Sequence, residues 1–246
     1  MMLRLAVAAA QVAQIAHAQD GTGFFLADAA AKDGAVCLDG TPGAYYLSPG
    51  SGSGASSWYI HQQGGGWCRS LEDCMGRSKG DLGTSKKYPK SQPEKAMAGQ
   101  SGAMSRDATL NPQMHNWNHV WIKYCDGNSF TGDNASTTTV NGTTLYWRGS
   151  RILDGTIASL MENKLAALSK ATDVVVGGGS AGGLATFIHC DRWAKAVKAN
   201  GRAKYACLAD SGFFLDYEGP PKPPRFPDYG YVRTLAGLAA TDAPCR

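Results

Sequence analysis

The apolar positions of this chain fall into short runs and stripes separated by glycine-rich, polar stretches. Val174-Val175-Val176, three β-branched residues in a row, reads as a buried central strand. The glycines that follow bring the chain into a turn that a Cβ would obstruct. Beyond it, Leu184, Phe187, Ile188 and Val197 recur at helical spacing and predict a helix. Trp58-Tyr59-Ile60-His61 and the stretch from His119 to Tyr124 read as two further strands. Leu153, Ile157, Leu160, Met161, Leu165 and Leu168 form a helical stripe that leads into the valine run. Cys207-Leu208-Ala209 predicts a short strand, and two apolar runs around Asp39-Gly40-Thr41-Pro42-Gly43 carry a hairpin signature. Strands that alternate with helices predict an α/β domain with a doubly wound, mostly parallel sheet.

Composition narrows this picture in three places. The 31 glycines among 246 residues indicate many tight turns, and the net charge of +4 excludes no partner class. No apolar run is long enough to span a membrane. Residues 1–18 read as a secretory leader, with Arg4 as its positive charge, Leu5 to Ile15 as its apolar stretch and Ala16-His17-Ala18 as its cleavage site. Residues 19–246 then form a single domain. Asn134-Ala135-Ser136 and Asn141-Gly142-Thr143 are glycosylation acceptors in a polar, loop-like stretch, which fits secretion. The seven cysteines fit an oxidising compartment, and their spacing matches no metal site. Cys68 with Cys74, Cys190 with Cys207, and Cys37 with Cys125 are the expected pairs, leaving Cys245 without a partner.

The chemistry centres on Gly178-x-Ser180-x-Gly182, at the junction of predicted strand and predicted helix. On a strand–turn–helix this pattern is a nucleophile elbow, which lifts the serine hydroxyl to the carboxyl end of a sheet. No Lys-Ser/Thr follows the glycines, so a phosphate-binding loop is not indicated. An ester hydrolase also needs N–H donors for its oxyanion. Gly64-Gly65-Gly66-Trp67, after an early strand, supplies the turn for them. The expected donors are Ala181 together with Gly66 or Trp67. The lysine-bearing stretch from Arg77 to Lys95 reads as a solvated surface loop. Its nearness in sequence to Trp67 would place positive charge beside the site.

Several motifs in a fixed order resemble the pectin acetylesterase family. They are Gly64-Gly65-Gly66-Trp67-Cys68 with Cys74, Trp117-Asn118, and Tyr124-Cys125-Asp126-Gly127 with Phe130-Thr131-Gly132-Asp133. Arg148-Gly149, Gly179-Ser180-Ala181-Gly182-Gly183, His189-Cys190-Asp191 and Ala209-Asp210-Ser211-Gly212 with Phe214-Leu215-Asp216 complete the set. The family includes plant cell-wall esterases and the animal lipid-deacylating esterase Notum; His189-Cys190-Asp191 and Cys125-Asp126-Gly127 look like the plant type. The resemblance implies an α/β-hydrolase fold, Ser180 as nucleophile, and an oxyanion hole from Gly66, Trp67 and Ala181. It also implies a secreted enzyme that removes acetyl groups from pectin; serine chemistry of this kind needs no cofactor, and a monomer without nucleic-acid or membrane partners is expected. A Notum-like lipid deacylase and a non-catalytic carbohydrate-binding relative are the alternatives.

One departure stands out. The resemblance places the catalytic Asp and His beyond the Ala-Asp-Ser-Gly motif, and this chain ends at Arg246 before either. His17, His61, His115, His119 and His189 precede or closely follow Ser180, against the Ser–Asp–His order. Asp210 ends a strand but reads as part of a structural motif. The fold is thus expected to lack its C-terminal part, and residues 1–246 alone are expected to turn over slowly.

Overall fold

The structure, a computed structural model, describes residues 20–214 apart from positions 200 and 202. The expected leader, the end of the last motif at Leu215-Asp216 and Cys245 lie outside the described residues. The strands are β1 (Gly21–Phe25), β2 (Ala44–Ser48), β3 (Ser57–Gln62), β4 (Ser91–Gln92), β5 (Asn118–Ile122), β6 (Thr138–Val140), β7 (Thr143–Leu145), β8 (Asp173–Gly179) and β9 (Lys204–Asp210). The helices are α1 (Ala27–Asp33), α2 (Leu71–Arg77), α3 (Glu94–Ala98), α4 (Gly149–Met161) and α5 (Ala181–Lys198).

Among the described residues, seven strands form one sheet in the order β4-β1-β2-β5-β3-β8-β9. β3 lies parallel between β5 and β8, so Ile60 stands opposite both Val120 and Val176. β9 extends the parallel set beyond β8, while β2, β1 and β4 form an antiparallel margin. The valine run is therefore a central strand, as its β-branched composition requires. β6 and β7 form a separate hairpin around Asn141-Gly142, both with positive φ.

Alternation along β3 divides the sheet into two faces. Trp58 and Ile60 join Val174, Val176, Ile152, Leu153, Leu160, Ala185 and Trp193 in the core beneath α4 and α5. Tyr59 points the other way, into a cluster with Tyr46, Trp121, Met97 and Met104. Trp58 and Trp193 are fully buried. Truncating either to alanine is expected to cost about 3–5 kcal/mol.

Two helices differ from their predicted stripes. α4 stops at Met161, short of Leu165, which is exposed, and of Leu168, which is buried in a 3₁₀ turn. Asn163 accounts for the stop. Its side chain accepts from the Leu165 N–H at 2.9 Å and donates to the Tyr45 hydroxyl at 3.0 Å, a local bonding pattern that competes with the helix. α5 runs where its stripe predicted, but it buries Gly182, Ala185, Thr186, His189, Trp193 and Val197, while Phe187 is exposed. Close approach of backbone to sheet decides the first turn of this face, where Gly182 allows it, and Trp193 fills the core further along.

Cys37–Cys125 and Cys190–Cys207 are disulfides, as expected. The third expected pair differs: Cys68 and Cys74 are free thiols, buried side by side in the cluster with Leu38 and Trp147. The hydrogen bond with Cys74, aided by burial, pushes the Cys68 thiol up, so it stays protonated. The stretch after α2 is not simply a solvated loop, because Ser78, Thr84, Ser85 and Tyr88 within it are buried. No helix among the described residues is long and apolar enough to cross a membrane.

Candidate functional site

The topology itself marks a location. β3 leads to β5 on one side, whereas its neighbour β8 leads through α5 to β9 on the other. The carboxyl ends of β3 and β8 therefore flank a switch point, where open α/β sheets form their ligand crevices. The register Gln62↔Gly178 brings the glycine run after β3 level with the turn after β8.

At that turn Ser180 adopts φ 55°, ψ −121° and is exposed. A non-glycine residue held there costs about 1–3 kcal/mol. Its N–H donates to the Asp210 carbonyl at 3.1 Å, and its carbonyl accepts from the Leu184 N–H at 3.0 Å. Glycines make this turn possible. A Cβ on Gly178 would lie 2.3 Å from the Gly182 oxygen, and one on Gly182 would lie 2.0 Å from the Gln62 oxygen. Ala181 opens α5, so its N–H has no acceptor within the helix and points out of the positive end.

The second glycine run is pressed against the first. A Cβ on Gly64 would lie 2.2 Å from the Gly179 oxygen and 3.4 Å from the Ala181 nitrogen. Gly65 and Gly66 then turn at φ 140° and 67°. Three side chains fasten this loop. The Arg77 guanidinium donates to the carbonyls of Gly65 at 2.9 Å and Leu82 at 3.0 Å. The Tyr124 hydroxyl donates to the Gly66 carbonyl at 2.8 Å and accepts from the Ser129 N–H at 3.0 Å. The Ser129 hydroxyl accepts from the Trp67 indole at 2.7 Å and donates to the Ala181 carbonyl at 2.8 Å. One hydroxyl thus ties Trp67 to the first residue of α5. Phe214 closes edge-on against the Trp67 ring at 5.4 Å between centroids.

Ser129 itself sits in a turn with φ 51°, followed by Phe130 at φ 58°. Asp126 holds that turn by accepting from the N–H groups of Asn128 at 3.1 Å and Phe130 at 2.9 Å. Burial pushes the Asp126 carboxyl up to about 6. Sequence reasoning assigned no role to Ser129, Tyr124 or Arg77. Ser129 finds its two partners 62 and 52 residues away, a relation with no local periodic signal.

The described histidines are engaged elsewhere. His189 donates through Nε2 to the Ser129 carbonyl at 3.3 Å, and burial pulls it down to about 4. His61 meets the Tyr59 hydroxyl at 3.2 Å, His119 the Met114 carbonyl at 2.8 Å, and His115 the Asn111 carbonyl at 3.2 Å. Asp210 touches Ser180 through its backbone carbonyl, while its carboxylate accepts from the Ser211 hydroxyl at 3.2 Å. Among the described residues, no group of three or more His, Cys, Asp or Glu side chains is placed to hold a metal ion.

A sheet with a parallel centre, a switch point between β3 and β8, and a strained serine between strand and helix define a protein of the α/β-hydrolase fold. A solved structure of that fold, the Wnt deacylase Notum from Drosophila, superposes with a TM-score of 0.74 at 24% identity, covering 91% of this chain and 62% of that one. The chain belongs to the pectinacetylesterase family, whose model, described as Pectinacetylesterase, matches residues 15–235. Pectin acetylesterase 11 of Arabidopsis thaliana is 38% identical over 191 residues, 78% of this chain and 45% of that protein. Pectin acetylesterase 5 of the same plant is 39% identical over 191 residues, 78% of this chain and 42% of that protein. The palmitoleoyl-protein carboxylesterase NOTUM of Schmidtea mediterranea is 31% identical over 185 residues, 74% of this chain and 33% of that protein. The chain therefore spans less than half the length of the plant relatives it matches.

Proposed function

We propose that this chain carries the nucleophile and oxyanion hole of a secreted serine esterase that removes acetyl groups from pectin. The observation that carries the reading is the strained, exposed Ser180, held against a second glycine run at the carboxyl end of the sheet. In this reading the Ser180 hydroxyl attacks the acetyl carbonyl, and its proton passes to a base. The carbonyl oxygen becomes an oxyanion, which accepts from the N–H groups of Gly66, Trp67 and Ala181, with the positive end of α5 behind it. Collapse expels the sugar hydroxyl, protonated by the base, and leaves an acetyl-serine that water then hydrolyses. The base and its acid partner come from outside residues 20–214, because the four described histidines bond elsewhere. The greater identity to the plant acetylesterases than to the Notum deacylase favours an acetylated polysaccharide over a lipidated protein.

The test is acetate release from acetylated pectin by the protein and its Ser180→Ala variant. With the base present, a loss of at least about 10³-fold in the variant is expected. Equal release by both would remove Ser180 from the chemistry. Faster cleavage of a palmitoleoyl ester than of an acetyl ester would favour a deacylase. Pectin binding without acetate release would favour a carbohydrate-binding relative.

A further inference from the structure

A second feature of the molecule is not used by this chemistry. The segment after α2 and the β6–β7 hairpin face each other across a groove of about 450 Å³. Lys79, Lys86 and Lys87 line one wall, Thr143, Thr144 and Tyr146 the other, and Asp39 also lines it.

The groove is built rather than incidental. Its lysine wall is fastened to the 37–42 turn. The Ser85 N–H donates to the Thr41 hydroxyl at 2.9 Å, and the Ser85 hydroxyl donates to the Pro42 carbonyl at 2.7 Å. The hairpin wall is fastened to the same turn, because the Tyr146 N–H donates to the Leu38 carbonyl at 3.0 Å. Lys86 is positioned by the Asp39 carboxylate at 3.2 Å. Burial raises the Asp39 carboxyl, but hydrogen bonds from Thr41 and Thr84 and the contact with Lys86 together hold it below its ordinary range, so it stays ionised. Lys79 and Lys87 are exposed and pair with no carboxylate among the described residues. Two exposed cations thus remain after the internal pair is counted, beside hydroxyls and an aromatic ring.

That set suits an anionic sugar chain: ammonium groups for carboxylates, hydroxyls for ring hydroxyls, and an aromatic edge for an apolar ring face. The segment that carries the lysine wall also reaches the candidate site. Leu82, on the lysine wall's own segment, packs on Gly65 so closely that a Cβ there would lie 2.9 Å from it. Arg77 grips the carbonyls of both.

We propose that this groove binds the free carboxylates of a polyuronate chain and so selects pectin stretches whose acids are not methyl-esterified. The proposal rests on the pectin reading for its ligand class but needs no turnover for its test.

Binding of oligogalacturonate and of its full methyl ester is measured by calorimetry at two salt concentrations, for the protein and for Lys79→Glu/Lys87→Glu. Exposed charge pairs are weak singly, so reversing two charges is expected to weaken oligogalacturonate binding about tenfold. The methyl ester should bind at least as weakly to the unaltered protein, and added salt should weaken only the acid form. Thermal melts of both proteins should coincide, because the two lysines are exposed and unpaired. Equal affinity of variant and parent for the acid, or of the parent for acid and ester, would overturn the proposal. So would equally tight binding of single-stranded DNA, which would mean unspecific charge attraction. The two readings fail separately. Acetate release from pectin with unchanged binding in the variant removes the groove alone. Lysine-dependent oligogalacturonate binding without acetate release removes the esterase reading alone.

Discussion

Replacing Ser129 by alanine perturbs the link between the two halves of the candidate oxyanion hole. The hydroxyl is the acceptor for the Trp67 indole at 2.7 Å and the donor to the Ala181 carbonyl at 2.8 Å. Its backbone stays in the same left-handed turn, because alanine meets the same strain there as serine. Trp67 is half-buried, so its freed N–H can turn to water, and the Ala181 carbonyl retains its helical bond. The stability loss is therefore modest, about 1–2 kcal/mol, or roughly 2–4 °C in Tm per kcal/mol for a chain of this size. The rate should suffer more. Removing an oxyanion donor outright costs about 10²–10³ in kcat, and misplacing a reacting group by about 1 Å costs about 10². Ser129→Ala removes no donor but frees Trp67 to drift, so a 10- to 100-fold fall in kcat with KM nearly unchanged is expected. That corresponds to about 1.4–2.7 kcal/mol of barrier. The assay is acetate release at saturating ester, combined with Trp67→Phe in a double-mutant cycle. If the hydroxyl acts through Trp67, the two losses should not add. A lowered Tm with kcat within twofold of the parent would refute the positioning role, and so would fully additive losses.

Two further outcomes follow from burial and packing. Burial pulls His61 and His189 down to about 4 and His119 to about 3, so all three stay neutral in the folded state while an unfolded histidine protonates near 6.5. The unfolded chain then binds more protons below pH 6.5. Their contribution is intact above that pH and is lost as pH falls toward 4, by up to about 1.4 kcal/mol per pH unit each. Asp126, raised to about 6, acts in the opposite sense between about pH 4 and 6 and offsets one of them. Urea midpoints should thus fall steeply from pH 7 to pH 5, less so in His189→Gln, and a flat profile would contradict the burial argument. Glycine substitutions should separate steric from conformational demand. Gly182→Ala drives a Cβ to 2.0 Å from a backbone oxygen and should cost about 3 kcal/mol, whereas Gly66→Ala meets open space and should cost about 1–2 kcal/mol for its φ of 67°. Equal melting temperatures for the two variants would mean that α5 does not rest on Gln62.

Much of the site was legible because it is local. A β-branched run, a glycine turn and a helical stripe lie within one stretch of sequence, and each leaves its own period. The face of α5 was not, because Leu184, Phe187 and Ile188 give the larger apolar signal, while sheet contact selects the small residues between them. The β6–β7 hairpin did carry a local signal: Asn141-Gly142 at positive φ is a favoured two-residue turn, though it was read only as a polar loop with a glycosylation acceptor. The antiparallel margin was hidden because Gly21–Phe25 offers neither alternation nor a long apolar run. The Ser129 link was beyond any pattern, since it joins three distant segments by single hydrogen bonds. Spacing correctly placed Cys68 beside Cys74, but neighbourhood is a weaker condition than a bond.

The backbone of Ser180 has a consequence for lineages as well as for chemistry. Its strain is carried by every copy of the protein, whether or not an ester ever arrives. Glycine adopts the same conformation freely, so under the proposed reading drift at this codon relieves strain and removes the nucleophile together. A gene copy released from turnover has nothing to oppose that drift. Where Ser180 is the nucleophile, as proposed, use and not the fold is what holds a serine at a φ of 55°.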